Sequence, residues 1–143
     1  AKQFNDLFTD SNGFIDEDVI QLASDINFEA KRMDINLDKS QTSKIFSKKI
    51  VQNINRLVYS LEYQQAEVTL ELLDTIEKLE IAVDISEAQN LYFTKVVTKF
   101  GQLIESISRE SDRELILILF DIAKRLNIDT VFYKSKFDQA LLT

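Results

Sequence analysis

The residue types that most often carry out chemistry in proteins are missing from this chain of 143 residues, which contains no His and no Cys. The lack of Cys excludes disulfides, thiolate zinc sites and cysteine nucleophiles. The lack of His removes the most frequent general base and excludes a Ser-His-Asp triad within the chain. An enzyme using Asp, Glu, Lys, Tyr and Ser alone is the remaining catalytic alternative, but no spacing of these residues points to a site. We therefore predict no catalytic residue, no cofactor and no metal site.

The segment from Thr9 to Val19 has some features of a calcium-binding loop. The residues at offsets where such a loop has ligands, a turn glycine and a core aliphatic residue are Asp10, Asn12, Gly13, Ile15 and Asp16. However, Phe8 and Val19 occupy the positions of the first ligand and of the bidentate glutamate. We interpret the segment as a solvated turn and helix cap.

Eight carboxylates are concentrated in one part of the chain, where Lys78 is the only basic residue. They are Glu62, Glu67, Glu71, Asp74, Glu77, Glu80, Asp84 and Glu87. Glu67, Glu71 and Asp74 share one helical face, and a carboxylate pair there could serve acid–base chemistry if an apolar pocket raised a pKa. No such pocket is indicated nearby, so we predict a solvated acidic face. It would attract the basic side chains of the preceding segment, Lys31, Arg32, Lys39, Lys44, Lys48 and Lys49.

The overall charge and hydropathy narrow the range of partners and compartments. A net charge of −7 argues against nucleic acid, whose binding rests largely on Lys and Arg. The longest apolar run, Leu115 to Phe120, is far shorter than the ~18 residues that span a bilayer, so we predict no transmembrane segment. The lack of Cys fits a reducing compartment, which predicts a cytoplasmic location. Because the chain begins with Ala, we expect a fragment of a larger protein.

The spacing of apolar residues predicts an all-α fold with five or six helices in antiparallel hairpins, as a helical bundle or a short α-solenoid. Two Gly and no Pro leave long uninterrupted stretches. The first four apolar stripes are Ile15, Val19, Leu22, Ile26, Ala30 and Met33; Phe46, Ile50, Ile54, Leu57 and Leu61; Val68, Leu72, Ile76, Leu79 and Val83; and Phe93, Val97, Phe100, Ile104 and Ile107. A fifth helix would contain the run Leu115 to Phe120, for which a β-strand is the alternative, and a sixth would hold Phe137. We place a break between Tyr59 and Ala66.

Two short sequences have the pattern of a capping box, in which a Ser hydroxyl and a Glu or Gln side chain bind free amides at a helix start. They are Ser86 to Gln89 and Ser111 to Glu114. Each predicts that a helix starts at its serine.

Three junctions between helices resemble one another in sequence. Each has an apolar helix end, a short extended link with an apolar residue turned inward, and an acidic or hydroxyl cap: Met33 to Asp38, Leu79 to Asp84, and Leu126 to Val131. They recur at intervals of about 46 residues, which is typical of helical-hairpin repeats. The prediction is one domain, 1–143, with repeats at approximately 14–59, 62–107 and 111–143.

The second junction continues into the most individual motif of the chain. Asp84 is followed, after three residues, by Ala88-Gln89-Asn90 and then by Tyr92 and Phe93. This motif and the helical rhythm upstream resemble the helical region after the catalytic barrel of family 57-type glycoside hydrolases. The large apolar residue expected shortly after Asp84 is absent, and the catalytic carboxylates and His motifs of that barrel are not in this chain. The resemblance implies an accessory helical domain.

The function that we predict is a non-catalytic helical accessory or interaction domain, part of a larger protein such as a glycoside hydrolase-like enzyme. Its partner would be another domain of the same protein or a separate protein, with Gln89, Asn90 and Tyr92 as candidate contact residues. The alternative role of Gln89 is to close a capping box. The alternative role of Asn90 is that of a buried structural amide, and for Asn90 we favour this alternative. The alternative function is a stand-alone helical bundle that binds a protein or small ligand in a regulatory role.

Overall fold

The computed structural model describes residues 2–9, 16–107 and 110–142, and within these ranges the chain forms α-helices and no strand. The helices are α1 Lys2–Thr9, α2 Glu17–Arg32, α3 Ser40–Tyr59, α4 Tyr63–Lys78, α5 Ser86–Lys95, α6 Phe100–Glu105, α7 Glu110–Arg125 and α8 Val131–Leu142. A short 3-10 helix, Val97–Lys99, joins α5 to α6. The all-α prediction is confirmed, and the predicted break lies at residues 60–62. The β-strand alternative for Leu115 to Phe120 is wrong, because this run lies inside α7.

The chain divides into two compact units. Unit 1 comprises Ala1–Lys49 and Asp74–Asp84, and unit 2 comprises Ile50–Leu73 and Ile85–Thr143. Helices α3 and α4 therefore contribute residues to both units. The extent of the single domain stays a prediction.

In unit 1, α1 caps the start of α3. The Oδ1 atom of Asn5 accepts hydrogen bonds from the backbone N–H of Thr42 at 3.1 Å and from its hydroxyl at 2.6 Å, while Asn5 Nδ2 donates to the Asp38 carbonyl at 2.9 Å. The ring of Phe8 packs edge-on against Phe46 with centroids 5.1 Å apart. Amides in the first turn of a helix have no partner within the helix. Asn5 thus satisfies one of them from a different helix.

In unit 2, the core is built from aromatic rings that meet edge to face. The ring of Phe100 lies 6.4 Å from Tyr92, 5.3 Å from Phe120 and 5.5 Å from Tyr133, centroid to centroid. Phe137 continues the contact at 5.8 Å from Phe120. Edge-to-face pairs add to the stability gained from apolar burial. They join α5, α6, α7 and α8.

The predicted apolar stripe of α2 is wrong in part. The residues that α2 buries are Ala23, Asn27 and Ala30, whereas Leu22 and Met33 of the predicted stripe are exposed. Small alanine side chains let a neighbouring helix approach the backbone closely. The stripe was identified from the largest apolar side chains. It therefore indicated a face of α2 next to the one that is buried.

The helix start predicted at Ser86 is confirmed, whereas the one predicted at Ser111 is wrong. The capping position of α5 is Ile85, which forms no side-chain cap, and Gln89 Nε2 donates to the carbonyl of Leu126. Helix α7 already includes Glu110, so Ser111 lies within the helix. The extended conformation of a capping residue is therefore unavailable to either serine. Most of the predicted calcium-like loop, residues 10–15, lies outside the described residues.

Candidate functional site

Three helix ends have the same backbone conformation. Helices α2, α4 and α7 each contain 16 residues, and in each the second residue after the helix has a positive φ: Asp34 at 56°, Glu80 at 54° and Asn127 at 59°. The following isoleucine donates its N–H to a carbonyl five residues earlier: Ile35 to Ala30 at 2.8 Å, Ile81 to Ile76 at 3.1 Å and Ile128 to Ala123 at 2.9 Å. This pattern is a Schellman motif, which satisfies free carbonyls at a helix end. The intervals are 46 residues (34 to 80) and 47 residues (80 to 127).

The segments after these helices are called the first link (residues 33–39), the second link (79–85) and the third link (126–130). In two of them an aspartate caps the next helix. Asp38 Oδ1 accepts from the N–H of Ser40, and Asp129 Oδ1 accepts from the N–H of Val131, both at 3.0 Å. This hydrogen bond favours the charged form and lowers the pKa of Asp38. The acidic caps predicted for these two links are confirmed.

The buried positions repeat with the same register. The seventh residue of each helix before a link is buried: Ala23 in α2, Thr69 in α4 and Ile116 in α7. The seventh residue of each helix after a link is a buried aromatic: Phe46 in α3, Tyr92 in α5 and Phe137 in α8. The described residues therefore contain three helical hairpins, the first of α2 and α3, the second of α4 and α5, and the last of α7 and α8, with equivalent side chains at equivalent positions.

In unit 1, side chains of α2 and of the first link hold the second link. Asn27 Nδ2 donates to the carbonyl of Leu79 at 2.8 Å, and Lys39 Nζ donates to the same carbonyl at 3.0 Å. Lys31 Nζ lies 2.6 Å from a carboxylate oxygen of Glu80 and lowers its pKa. The predicted attraction between the basic and acidic segments is confirmed for this pair.

Lys39 is half-enclosed at this position. Its ammonium lies 4.8 Å from the centroid of the Phe4 ring, and burial lowers its pKa. Its hydrogen bond to the Leu79 carbonyl, which also accepts from Asn27, compensates for lost hydration. We interpret Lys39 as a structural cap.

In unit 2, the candidate contact residue Gln89 serves the equivalent carbonyl. Its Nε2 atom donates to the carbonyl of Leu126 at 2.8 Å. Leu126 is the first residue after α7, as Leu79 is the first after α4. The side-chain amide of Gln89 therefore caps the end of α7.

The other two candidate contact residues lie in different environments. Tyr92 is fully buried, and its hydroxyl donates to the carbonyl of Leu119. Burial raises the pKa of the Tyr92 hydroxyl. Asn90 is exposed, and its backbone carbonyl accepts a hydrogen bond from Thr94 Oγ1 at 2.9 Å. The buried role that we favoured for Asn90 is wrong, and its contact role stays a prediction.

The acidic helical face also lies in solvent. Glu67, Glu71 and Asp74 are all exposed, as predicted. Near Asp74, unit 1 has a hollow of about 430 Å³ lined by Glu17, Asp18, Ile20, Gln21, Asp74, Thr75 and Lys78. Among the residues that the structure describes, no group of three or more acidic side chains could hold a metal ion.

A groove of about 370 Å³ lies between α7 and α8 of unit 2. It is lined by Leu117, Phe120, Asp121, Lys124, Lys134, Phe137 and Asp138. Phe120 and Phe137 are almost fully buried and form an aromatic floor, whereas Leu117 is 55 % exposed at its edge. Lys134 Nζ lies 6.0 Å from the ring centroid of Phe120. Apolar side chains surrounded by two ammonium and two carboxylate groups can bind a peptide segment that presents both apolar and charged side chains.

The sequence did not reveal this groove, because its lining residues come from two helices with a five-residue link between them (126–130). Alignment of the three repeats could have revealed it. Once the first residues of α2, α4 and α7 are aligned, Phe120 corresponds to Asn27 and Leu73, and Lys124 corresponds to Lys31.

Compared with protein-family models, with curated proteins and with solved structures, the chain gives no match. Over the ranges 2–9, 16–107 and 110–142, no helix combines the length and apolar character needed to cross a bilayer. The fold and the site therefore stand on the chain's own geometry.

Proposed function

We propose that this chain is a non-catalytic helical interaction domain, which acts by binding another domain of the same protein or a separate protein. The observation that carries the proposal is the groove between α7 and α8. Leu117 at its edge is 55 % exposed and offers apolar area that a partner can bury above the aromatic floor. Burial of apolar area is the main source of binding free energy. Repeated helical hairpins commonly serve as binding surfaces of this kind.

The charged rim of the groove would determine orientation more than affinity. Lys124 and Lys134 place two ammonium groups beside the floor, and Asp121 and Asp138 place two carboxylates there. Complementary charges speed association and disfavour wrong partners. A partner segment with an acidic residue between two apolar residues would fit this surface.

The more specific form of the proposal follows from the motif Ala88 to Phe93. Its resemblance to the helical region of family 57-type glycoside hydrolases favours a catalytic barrel in the same protein as the partner. On that proposal the domain would support the barrel without reacting with substrate, and it would work in the cytoplasm.

The test is site-specific photo-crosslinking in cells that express the protein. A photoreactive amino acid replaces Leu117 at the edge of the groove. We expect a discrete protein adduct, and we expect Lys124→Glu to reduce its yield severalfold. The matched control places the same amino acid at Val68, an aliphatic residue of α4 that is 49 % exposed.

An adduct from Val68 but none from Leu117 would contradict the proposal. An adduct from Leu117 that is insensitive to Lys124→Glu would place the contact outside the groove. If the partner is a barrel domain of the same polypeptide, the crosslink joins two peptides of one chain, which mass spectrometry of a digest distinguishes.

The second candidate is a stand-alone bundle that binds a small ligand for regulation. The groove's volume favours it, since ligand sites commonly measure ~300–1,000 Å³. In that case the photoreactive group at Leu117 would give no protein adduct. A small molecule that raises the melting temperature of the wild type, but not of Leu117→Asp, would support this candidate.

A further inference from the structure

The second link, which joins α4 to α5, is held by side chains of the preceding hairpin. Besides Lys39 of the first link, three side chains from the two helices of the first hairpin contact it within unit 1. Asn27, the eleventh residue of α2, donates to the Leu79 carbonyl, and Lys31, the fifteenth, binds Glu80. A third contact comes from Ser47, the eighth residue of α3, whose Oγ accepts the N–H of Asp84 at 3.1 Å. These three positions form a docking surface for a link.

The same three positions in the last hairpin line the α7–α8 groove. The eleventh and fifteenth residues of α7 are Phe120 and Lys124, and the eighth residue of α8 is Asp138. Within the described residues, no link follows α8. The groove therefore lies at the positions which, in the first hairpin, contact a link.

The counterpart that is exposed is the first part of the first link, residues 33–36. Met33 is 60 % exposed and Ile35 is 51 % exposed, whereas Leu79 and Ile81 at the equivalent positions of the second link are buried. Asp34, between Met33 and Ile35, is also exposed and has the same positive φ as Glu80. Met33, Asp34 and Ile35 are thus presented to solvent. Asp34 has the same positive φ as Glu80 in the second link, which the first hairpin binds.

We propose that the α7–α8 groove of one copy of this chain binds the first link of a second copy. Asp34 of the second copy pairs with Lys124, as Glu80 pairs with Lys31. Met33 and Ile35 pack against Leu117, which is the exposed apolar residue of the groove. The proposal rests on the proposed function, because it names the partner of the same groove. The contact uses a different surface on each copy, so it is a head-to-tail interface.

A second cation supports this choice of occupant. Lys134 is the fourth residue of α8, and the fourth residue of α5 is Gln89, which caps the first carbonyl after α7. By equivalence, Lys134 lies where it can donate to the carbonyl of Met33 in the second copy. Lysine performs this role in the first hairpin, where Lys39 donates to the carbonyl of Leu79.

The first experiment is sedimentation equilibrium of the purified chain over a concentration series. We expect the average mass of the wild type to rise with concentration. Lys124→Glu and Asp34→Lys should each weaken association by ~10-fold or more, because like charges then face each other across the interface. The double variant, Lys124→Glu with Asp34→Lys, should recover association. Asp34→Asn keeps the preference for positive φ and removes only the charge, so it separates charge from backbone effects.

The second experiment mixes two chains that are each blocked at one surface. Ile35→Asp blocks the first link, and Leu117→Asp blocks the groove. Each variant alone should stay monomeric. Together they should form a 1:1 dimer and nothing larger, because only one intact groove and one intact link remain to pair. Val68→Asp, at similar exposure, is the control and should associate like the wild type.

A wild type that stays monomeric throughout the series would overturn the self-association proposal, and so would association that Lys124→Glu leaves unchanged. The crosslinking experiment separates this failure from failure of the proposed function. If a photoreactive group at Leu117 joins a different protein while the purified chain is monomeric, the interaction domain stands and the second copy is excluded as its partner.

Discussion

A carbonyl inside α7 and the first carbonyl after it receive side-chain donors from α5. Gln89 donates to Leu126 at the end of the helix, where carbonyls have no partner within the helix. Tyr92 donates to Leu119 in its interior. A phenol that is fully buried loses its hydration, and this hydrogen bond is what compensates for the loss. The two polar side chains therefore attach α5 to α7 at defined positions along the helix.

The substitution Tyr92→Phe tests how much the buried hydroxyl contributes to the free energy of unfolding. Removing it leaves the ring packing against Phe100 intact and deletes the donor to Leu119. We expect the free energy of unfolding to fall by ~1 kcal/mol, measured by urea denaturation. Tyr59→Phe is the control, because Tyr59 is 92 % exposed, and it should leave stability unchanged. Equal effects of the two substitutions would contradict a structural role for the Tyr92 hydroxyl.

The same variant should also change how the stability of the chain depends on pH at high pH. Burial raises the pKa of Tyr92 in the folded chain above that of an unfolded tyrosine, which is ~10. The unfolded chain therefore loses this proton first, and stability is full below pH ~10 and falls as the pH rises further. Tyr92→Phe should make the alkaline loss of stability less steep than in the wild type. Parallel curves above pH ~10 would contradict this.

At the scale of elements, the links depend on residues with positive φ. Side chains other than glycine, asparagine and aspartate adopt this conformation at a cost, because Cβ crowds a carbonyl oxygen. Asp34 and Asn127 belong to the tolerant types, whereas Glu80 does not. Glu80 is also the residue that Lys31 binds, so a contact between hairpins coincides with the least tolerant position.

Asn127 offers a clean test of the link conformation. Asn127→Gly should stay within a few tenths of a kcal/mol of the wild type, whereas Asn127→Ala should lose ~1 kcal/mol, because alanine is strained at positive φ. Urea denaturation measures both. The control makes the same two changes at Ser135, an exposed position inside α8, where alanine should be the more stable residue. The same order at both positions would contradict the assignment of positive φ to Asn127.

The elements could be predicted from the sequence to different degrees, for physical reasons. The three links were visible because backbone conformation is local, and each contains an isoleucine directly after the residue with positive φ: Ile35, Ile81 and Ile128. Burial was not visible, because Met33 and Leu79 are both apolar and only the neighbouring hairpin decides which one is covered. Gln89 was assigned to a capping box for a similar reason, since its real acceptor, the Leu126 carbonyl, is 37 residues away. Helix α1 was not predicted, because its apolar residues, Phe4, Leu7 and Phe8, cover only about two turns.

At the scale of the whole molecule, a net charge of −7 attracts cations without any specific site. Such attraction depends on ionic strength and does not distinguish calcium from magnesium. A built calcium site is different, because its ligands would stabilise the folded chain in proportion to calcium binding. The chain has no His or Cys, and the acidic segment around Asp10 lacks two of the ligand carboxylates that a calcium loop needs.

We therefore expect the melting temperature to be the same with calcium, with magnesium at equal ionic strength, and with a chelator, measured by circular dichroism. Raising the concentration of either salt should shift the two melting curves together, because screening is the shared cause. A rise of several degrees with calcium alone would contradict the prediction. If Asp10→Asn then abolished that rise, the segment from Thr9 to Val19 would be a calcium site, and the two missing ligands would have to come from residues outside the loop.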